Sequence, residues 1–209
     1  MKPFIHYITQ WYPEQHPARR KELAQAVGLQ LQSSAVLSVH LKNGSTRPTF
    51  QEMVNCSRAD DQVVNLLLNT DCFIDEASIA LLETIKPEEV WCLSREDNCC
   101  ACSQDAWAWR GSLEVEANYC QGWLGCDNRF AYDCAKAGRV PINPALSVRV
   151  NHLHKSQYRT YTEENRVPLP YLFVQPVKVG EPTEVMVRGD AAAKEQVVHL
   201  REYFKELTV

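Results

Sequence analysis

Two polar side chains that can carry chemistry, Asn69 and Asp71, follow directly after an apolar segment at residues 62–68. Such a nearly continuous apolar run is typical of a central strand in a parallel sheet. Residues at positions i and i+2 of an extended segment share one face. The amide and the carboxylate can therefore hold a divalent cation and a diphosphate. The alternative is that residues 69–71 are only the turn that ends the strand.

Two histidines, His152 and His154, form the second group with a chemically useful spacing. Alternating residues of a strand lie on one face, and imidazole together with carboxylate suits Mn²⁺. We therefore predict Asp71 as the first metal ligand and either histidine as the second. A partly exposed strand edge would explain the same pair of histidines without a metal.

Two further carboxylates, Asp105 and Asp127, are the candidate general acids or bases. Asp127 precedes a helix predicted from Asn128, where an aspartate can instead cap the free backbone N–H groups. That alternative predicts that Asp127→Asn lowers stability at least as clearly as activity. Asp105 has no comparable structural role in the sequence, so we rank it first as the catalytic carboxylate.

The elements that must position these residues alternate between strands and helices. The sequence predicts strands at residues 4–10, 35–41, 62–68 and 89–93, and helices at residues 18–31, 48–55, 78–85, 128–137 and 191–207. Residues 96–125, which contain several tryptophans and cysteines, are predicted to be irregular. This order implies right-handed βαβ units and an α/β fold with a mostly parallel sheet flanked by helices. Ligands of such sheets bind beyond the carboxyl ends of the strands.

Composition argues against two classes of protein. A net charge of −4 at pH 7 and a pI near 5.9 argue against a nonspecific nucleic-acid binder, which needs a basic surface. No apolar run approaches the ~20 residues of a membrane helix, and we see no signal-peptide pattern. A length of 209 residues suits one domain with a proper core. We expect a cytoplasmic protein.

The sequence contains nine cysteines, which is a high number. Cysteines stay as thiols in a reducing compartment, and the spacing of Cys99, Cys100 and Cys102 does not match the paired ligands of a zinc site. We therefore predict that these three cysteines are unbridged and metal-free. The alternative is a structural zinc protein that uses the cysteines between Cys92 and Cys126.

Five short motifs follow one another along the chain. They are Asn69-Thr70-Asp71, Leu93-Ser94-Arg95, Ser103-Gln104-Asp105-Ala106-Trp107, Gly125-Cys126-Asp127-Asn128-Arg129 and His152-Leu153-His154. In this order and spacing they resemble a family of small bacterial and viral glycosyltransferases of the GT-A type. The resemblance spans about residues 5–175 and includes four further residues, Thr9, Gln10, Arg19 and Arg47.

The resemblance implies a single GT-A-like domain over residues 1–209, with a donor-side half at about 1–95 and an acceptor and catalytic half at about 96–175. It implies metal-assisted transfer of a sugar from a nucleotide-sugar donor to a glycan or other hydroxyl acceptor, with Mn²⁺ or Mg²⁺ as cofactor. The family's Asp-x-Asp appears here as Asn69-Thr70-Asp71, which removes one metal carboxylate. A catalytically inactive nucleotide-sugar or glycan binder is therefore the alternative function.

Negative charge builds up on a departing diphosphate, so cationic side chains should stabilise it. Arg95, Arg129 and Lys155 are the candidate phosphate partners on that argument. The resemblance adds six residues to the donor site, namely Thr9, Gln10, Arg19, Arg47, Asn69 and Asn128. We also expect Asp71→Asn to weaken donor binding in Mn²⁺ and to leave the stability of the metal-free protein nearly unchanged.

Overall fold

The computed structural model describes residues 4–32, 36–43, 46–156, 158, 162–189 and 196–197. The helices are α1 Pro17–Leu31, α2 Phe50–Val54, α3 Glu76–Leu81 and α4 Cys126–Lys136, with 3₁₀ turns at Leu82–Thr84, Glu96–Asn98 and Glu163–Asn165. The strands are β1 Phe4–Trp11, β2 Val36–Asn43, β3 Val63–Leu68, β4 Cys72–Ile74, β5 Glu89–Leu93, β6 Ala106–Arg110, β7 Val140–Ile142, β8 Val150–His152, β9 Tyr171–Val174, β10 Val185–Arg188 and β11 Gln196–Val197. None of the described helices is long and apolar enough to cross a membrane.

Six of the described strands form one sheet in the order β2-β1-β3-β6-β5-β7. Five of them run in one direction, and β6 runs antiparallel between β3 and β5. Buried side chains of α2 and α4 belong to the core on one face of this sheet, and those of α3 belong to the core on the other. The predicted α/β class with a mostly parallel sheet flanked by helices is confirmed.

Strand β6 lies inside the segment that the sequence predicts to be irregular, and that prediction is wrong over Ala106–Arg110. Trp107 and Trp109 pack into the core on one face of the sheet, whereas Ala106 and Ala108 pack into the core on the other. Both faces of the strand are buried, as expected of an inner strand. Cysteine-rich and irregular flanking segments conceal this strand in the sequence.

Aromatic side chains of helices α2 and α4 pack against β6. The rings of Phe50 in α2 and Phe130 in α4 stack with centroids 4.4 Å apart, and Trp107 meets Phe50 edge-on at 5.0 Å. Such pairs contribute about 0.5–1.5 kcal/mol beyond the burial of their area. The helix that carries Asp127 is thereby held against the strand that follows Asp105.

Helix α4 begins two residues earlier than predicted. Gly125 is its N-cap, with a φ of 76° that residues with a side chain rarely adopt. A Cβ at this position would also collide with the hydroxyl of Tyr171. Asp127 therefore lies in the first turn of the helix, and the alternative that it is the N-cap is wrong. A carboxylate in the first turn still interacts favourably with the helix dipole.

The C-terminal segment also departs from the sequence prediction. A helix is predicted over residues 191–207, but Gln196–Val197 pairs as strand β11 with Met186 and Val187 of β10. Pairing satisfies backbone N–H and C=O groups of both segments, and such tertiary contacts override local helix preference. The rest of the predicted helix, like the Arg159-Thr160-Tyr161 segment, lies outside the described residues.

Candidate functional site

A cleft of about 510 Å³ opens at the edge of the sheet where β1, β3 and β5 end and β6 begins. This is the edge at which sheets of this kind bind ligands. Ten of the predicted site residues line the cleft, namely Gln10, Arg19, Arg47, Asn69, Asp71, Arg95, Asp105, Asp127, His152 and His154. The structure therefore brings together motifs that are far apart in the sequence.

The three predicted metal ligands form one cluster. Antiparallel pairing of β4 with β8 sets Cys72 opposite His152, which places the imidazole beside Asp71. The Oδ2 atom of Asp71 lies 3.2 Å from Nε2 of His152 and 3.7 Å from Nδ1 of His154. One ligand atom from each residue lies within 4.8 Å of the other two, so the group can hold a metal ion. Both histidines, rather than one of them, reach the carboxylate.

Arg19 of α1 contacts the same carboxylate. Its Nη2 atom donates a hydrogen bond of 2.5 Å to Asp71, and its Nη1 atom donates to the carbonyl of Leu153. Glu22, one turn further along α1, pairs with Arg19 and accepts hydrogen bonds from the backbone N–H and hydroxyl of Ser156. Helix α1 thus holds both the carboxylate and the segment that carries the histidines.

These contacts set the charges of the cluster. Burial disfavours ionisation of Asp71, but its hydrogen bond with His152 and the charge of Arg19 outweigh burial and hold the pKa of Asp71 well below its usual value. Burial lowers the pKa of His152, but the contact with Asp71 outweighs it and raises the pKa. Burial and the charge of Arg19 lower the pKa of His154. Asp71 is therefore anionic at neutral pH, and His154 presents a neutral nitrogen, as metal ligation requires.

Asp105 is buried at the floor of the cleft, directly before β6. Its Oδ1 atom accepts a hydrogen bond of 2.7 Å from the amide of Asn69 and lies 3.9 Å from Nη1 of Arg95. Burial raises the pKa of Asp105, the charge of Arg95 opposes that rise, and the charge of Asp71 adds to it. A buried carboxyl with a raised pKa in a cleft is a candidate for proton transfer.

Asn69 joins Asp105 to Gln121 through hydrogen bonds. Its Nδ2 atom donates to Asp105, and its Oδ1 atom accepts a hydrogen bond of 2.7 Å from Gln121. An ionised carboxylate at position 69 would lack the N–H that Asn69 donates and would place a like charge next to Asp105. Asn69 therefore acts as a hydrogen-bond partner of Asp105.

Asp127 faces the cleft from the first turn of α4. Its Oδ2 atom accepts a hydrogen bond of 3.1 Å from the backbone N–H of Gln104. Burial raises the pKa of Asp127 to about 6; the backbone N–H of Asn128 opposes this rise, and the charge of Asp105 adds to it. Of the three predicted site aspartates in the cleft, Asp71 has a lowered pKa, whereas Asp105 and Asp127 have raised pKa values. Such divergence of pKa values is typical of acid–base sites.

Four predicted donor-site residues, Thr9, Asn128, Arg129 and Lys155, lie outside the lining of the cleft. The hydroxyl of Thr9 is buried and donates to the carbonyl of Leu68. The buried amide of Asn128 donates to the carbonyls of Ala101 and Leu172. These two side chains stabilise the fold around the cleft.

Arg129 and Lys155 are the other two. Arg129 pairs with Asp133 at 3.0 Å and donates to the carbonyls of Pro168 and Leu169. Lys155 is exposed. Of the three arginines and lysines predicted as phosphate partners, the structure therefore places only Arg95 in the cleft, where Arg19 and Arg47 join it.

Sequence reasoning missed several residues of the site. Among the other residues that line the cleft are Tyr12, Glu14, Asn98 and Tyr158. Asp97 was also missed, although its Oδ2 atom lies 3.2 Å from Nδ1 of His152. It follows Arg95 at position i+2 after the end of β5, the same spacing that identified Asn69 and Asp71. Applying that pattern to β5 would have found it.

The cysteine prediction is wrong in part. Cys100 and Cys102 form a disulfide, whereas Cys99 is a free, exposed thiol. The two Cα atoms lie 5.4 Å apart, which is within the range that a disulfide spans. Among the described residues, no cysteine joins a group of three or more potential metal ligands, so the zinc alternative gains no support.

Comparison with family models, curated proteins and solved structures finds no match to this chain. The resemblance of the five motifs to GT-A glycosyltransferases therefore stays a prediction. The structural findings that bear on function are the Asp71–His152–His154 cluster and the arginines and carboxylates that share its cleft.

Proposed function

We propose that this protein transfers a sugar from a nucleotide-sugar donor to the hydroxyl of a glycan or other acceptor, assisted by a divalent metal ion, in a GT-A-like domain. The observation that carries the proposal is the convergence in one cleft of a metal-ligating cluster, three arginines and two carboxyls with raised pKa values. Each of these groups meets one chemical need of glycosyl transfer.

The cluster of Asp71, His152 and His154 suits a divalent ion. One carboxylate and two imidazoles match Mn²⁺ better than Mg²⁺, which prefers oxygen ligands and water. The ion would supply positive charge to the diphosphate that departs from the sugar. Arg19 lies against the same carboxylate and adds a guanidinium beside the ion's position.

Two further arginines in the cleft suit the phosphates of a donor. Arg47 donates to the carbonyl of Gln121, and Arg95 lies near Asp97 and Asp105. Both side chains line the cleft. Guanidinium groups bind phosphate oxygens through paired hydrogen bonds, which gives orientation as well as charge.

Asp105 is the group that we assign to proton transfer. In the transfer step, the acceptor hydroxyl oxygen forms a bond to the anomeric carbon, and the bond from that carbon to the phosphate oxygen breaks. The electron pair of the broken bond leaves with the diphosphate, and the hydroxyl proton passes to the carboxylate of Asp105. Burial raises the pKa of Asp105 and so strengthens it as a base. Asp127 is the second choice for this role.

The test is a thermal-shift screen against a panel of nucleotide sugars, with each sugar measured in MnCl₂ and in EDTA. A donor at 100 times its Kd stabilises the folded protein by about 2.7 kcal/mol. We expect one class of donor to raise the Tm in MnCl₂ only, and the same donor to be hydrolysed or transferred. Absence of stabilisation by every donor, together with absence of donor hydrolysis, would overturn the proposal.

A second candidate function is binding of a nucleotide sugar or glycan without turnover. The contact between Arg19 and Asp71 favours it, since a guanidinium already neutralises the carboxylate that a metal ion would need. The same experiment separates the two functions. Stabilisation by a donor that is equal in MnCl₂ and EDTA, with no product formed, identifies a binder.

A further inference from the structure

His152 has a carboxylate at each of its two ring nitrogens. Nε2 lies 3.2 Å from Oδ2 of Asp71, and Nδ1 lies 3.2 Å from Oδ2 of Asp97. The imidazole itself is largely enclosed, with 7% of its side chain exposed. Its orientation is therefore fixed from both sides, and only the Asp71 side belongs to the metal cluster.

The backbone places Asp97 at this position in two steps. Strand β5 ends at Leu93, and the chain continues to Arg95, which bridges to Val150 of β8. The 3₁₀ turn Glu96–Asn98 follows and carries Asp97 to the histidine that ends β8. The second oxygen of Asp97, Oδ1, forms an ion pair of 2.9 Å with Nε of Arg95. Arg95 thus orients the carboxylate of Asp97, which contacts His152 through its other oxygen.

We propose that Asp97 is a positioning residue for the metal site: it accepts the Nδ1–H of His152 and thereby directs the lone pair of Nε2 towards an ion shared with Asp71 and His154. Histidine ligands commonly donate their second N–H to a carboxylate, which fixes the tautomer and the ring orientation. The proposal rests on the metal site of the proposed function, but it does not depend on which sugar or acceptor is used.

The expected effect is modest because Asp97 is open to water. Loss of an outer carboxylate lowers metal affinity by about 10–100-fold. Since 59% of the Asp97 side chain is exposed, water can replace part of its contact, so we expect about 10-fold. Asp97→Asn keeps an oxygen that can accept the N–H and should lose less affinity than Asp97→Ala.

The experiment is calorimetric titration of the full chain with MnCl₂ at constant pH. Asp97→Ala should raise the Kd about 10-fold, and Asp97→Asn should fall between it and the wild type. The matched control is Glu96→Gln, which removes one negative charge from the same turn at a side chain that pairs with Arg149. The Kd of this control should stay within about two-fold of the wild type. Thermal unfolding in EDTA shows whether each variant is folded.

The outcomes separate this inference from the proposed function. Tight binding by the wild type with an unchanged Kd in Asp97→Ala overturns the role of Asp97 alone. Equal losses in Asp97→Ala and Glu96→Gln also overturn it, because they would show that only net charge matters. Absence of Mn²⁺ binding by the wild type overturns both this inference and the metal-assisted mechanism.

Discussion

Substitution of Asp71 by asparagine tests the metal cluster directly. For this variant, the structure predicts a different stability of the metal-free protein from the one that the sequence predicts. The sequence alone predicts that Asp71→Asn leaves the stability of the metal-free protein nearly unchanged. In the structure, however, the carboxylate is buried and contacts Arg19, His152 and His154. The variant removes the carboxylate nearest to the buried guanidinium of Arg19 and leaves Glu22 as its remaining ionic partner.

The magnitude follows from the burial of the pair. The side chains of Arg19 and Asp71 are 8% and 11% exposed, and removal of one partner from such a buried pair costs about 3–5 kcal/mol. An asparagine keeps an oxygen that accepts a hydrogen bond from Arg19, so we expect a loss of about 2–3 kcal/mol. For a chain of this size that corresponds to a fall in Tm of roughly 5–10 °C.

The pH dependence of this difference has a defined sign. An unfolded aspartate titrates near 3.8, and the contacts in the folded protein hold the pKa of Asp71 below that value. The stability that Asp71 contributes is therefore fully present above about pH 5 and is lost as the pH falls below about 4. The difference in stability between wild type and variant should be largest at neutral pH and should shrink progressively as the pH falls below about 4.

The assay is urea denaturation in EDTA, at several pH values, of the wild type, Asp71→Asn, Arg19→Gln and the double variant. We expect a coupling energy between the two positions of about 1 kcal/mol or more. Equal stability of wild type and Asp71→Asn at pH 7, or a coupling energy near zero, would refute the reasoning. The Arg19–Asp71 contact would then contribute nothing to the metal-free fold.

Three other substitutions give distinct results. Asp105→Asn should lower turnover by ~10²–10⁴-fold in a folded protein that still binds donor, and near-normal turnover would transfer the role to Asp127. Burial raises the pKa of Asp127 to about 6, against 3.8 for an ordinary aspartate. The contribution of this residue to the stability of the wild type should therefore be lost as the pH rises from about 4 to about 6. Asp127→Asn should abolish this loss and be more stable at pH 7 by about 1–3 kcal/mol, whereas a less stable variant would show that the charged form is favoured. Asn69→Asp should lower stability at pH 7 without tightening Mn²⁺ binding, because the new carboxylate faces Asp105; tighter binding in a titration would contradict this.

Much of the site could be predicted because strand ends are visible in the sequence. The apolar run before Asn69 and Asp71 locates the end of β3, and parallel strands share one ligand-binding edge. The pairing of β4 with β8, which brings His152 to Asp71, has no such signal. It joins segments about eighty residues apart, and only the alternating histidines indicated it.

The residues that lie outside the cleft show a limit of motif reasoning. Neighbouring residues of a strand point to opposite faces, so Gln10 lines the cleft while Thr9 does not. Neighbouring residues of a helix are turned by about 100°, so Asp127 reaches the cleft while Asn128 and Arg129 reach other partners. A contiguous motif therefore overstates the number of its residues that a ligand can contact.

The central position of β6 has a consequence for the cooperativity of folding. Strands β2, β1 and β3 form one half of the sheet, and β5 and β7 form the other. In the described part of the chain, the strand pairing that joins the two halves runs through β6. Pairing through β6 therefore couples the two halves, so that they unfold together in one transition. A proline at Ala108 removes a backbone donor from this strand. We expect it to split one denaturation transition into two, visible as separate groups of amide protons in hydrogen exchange.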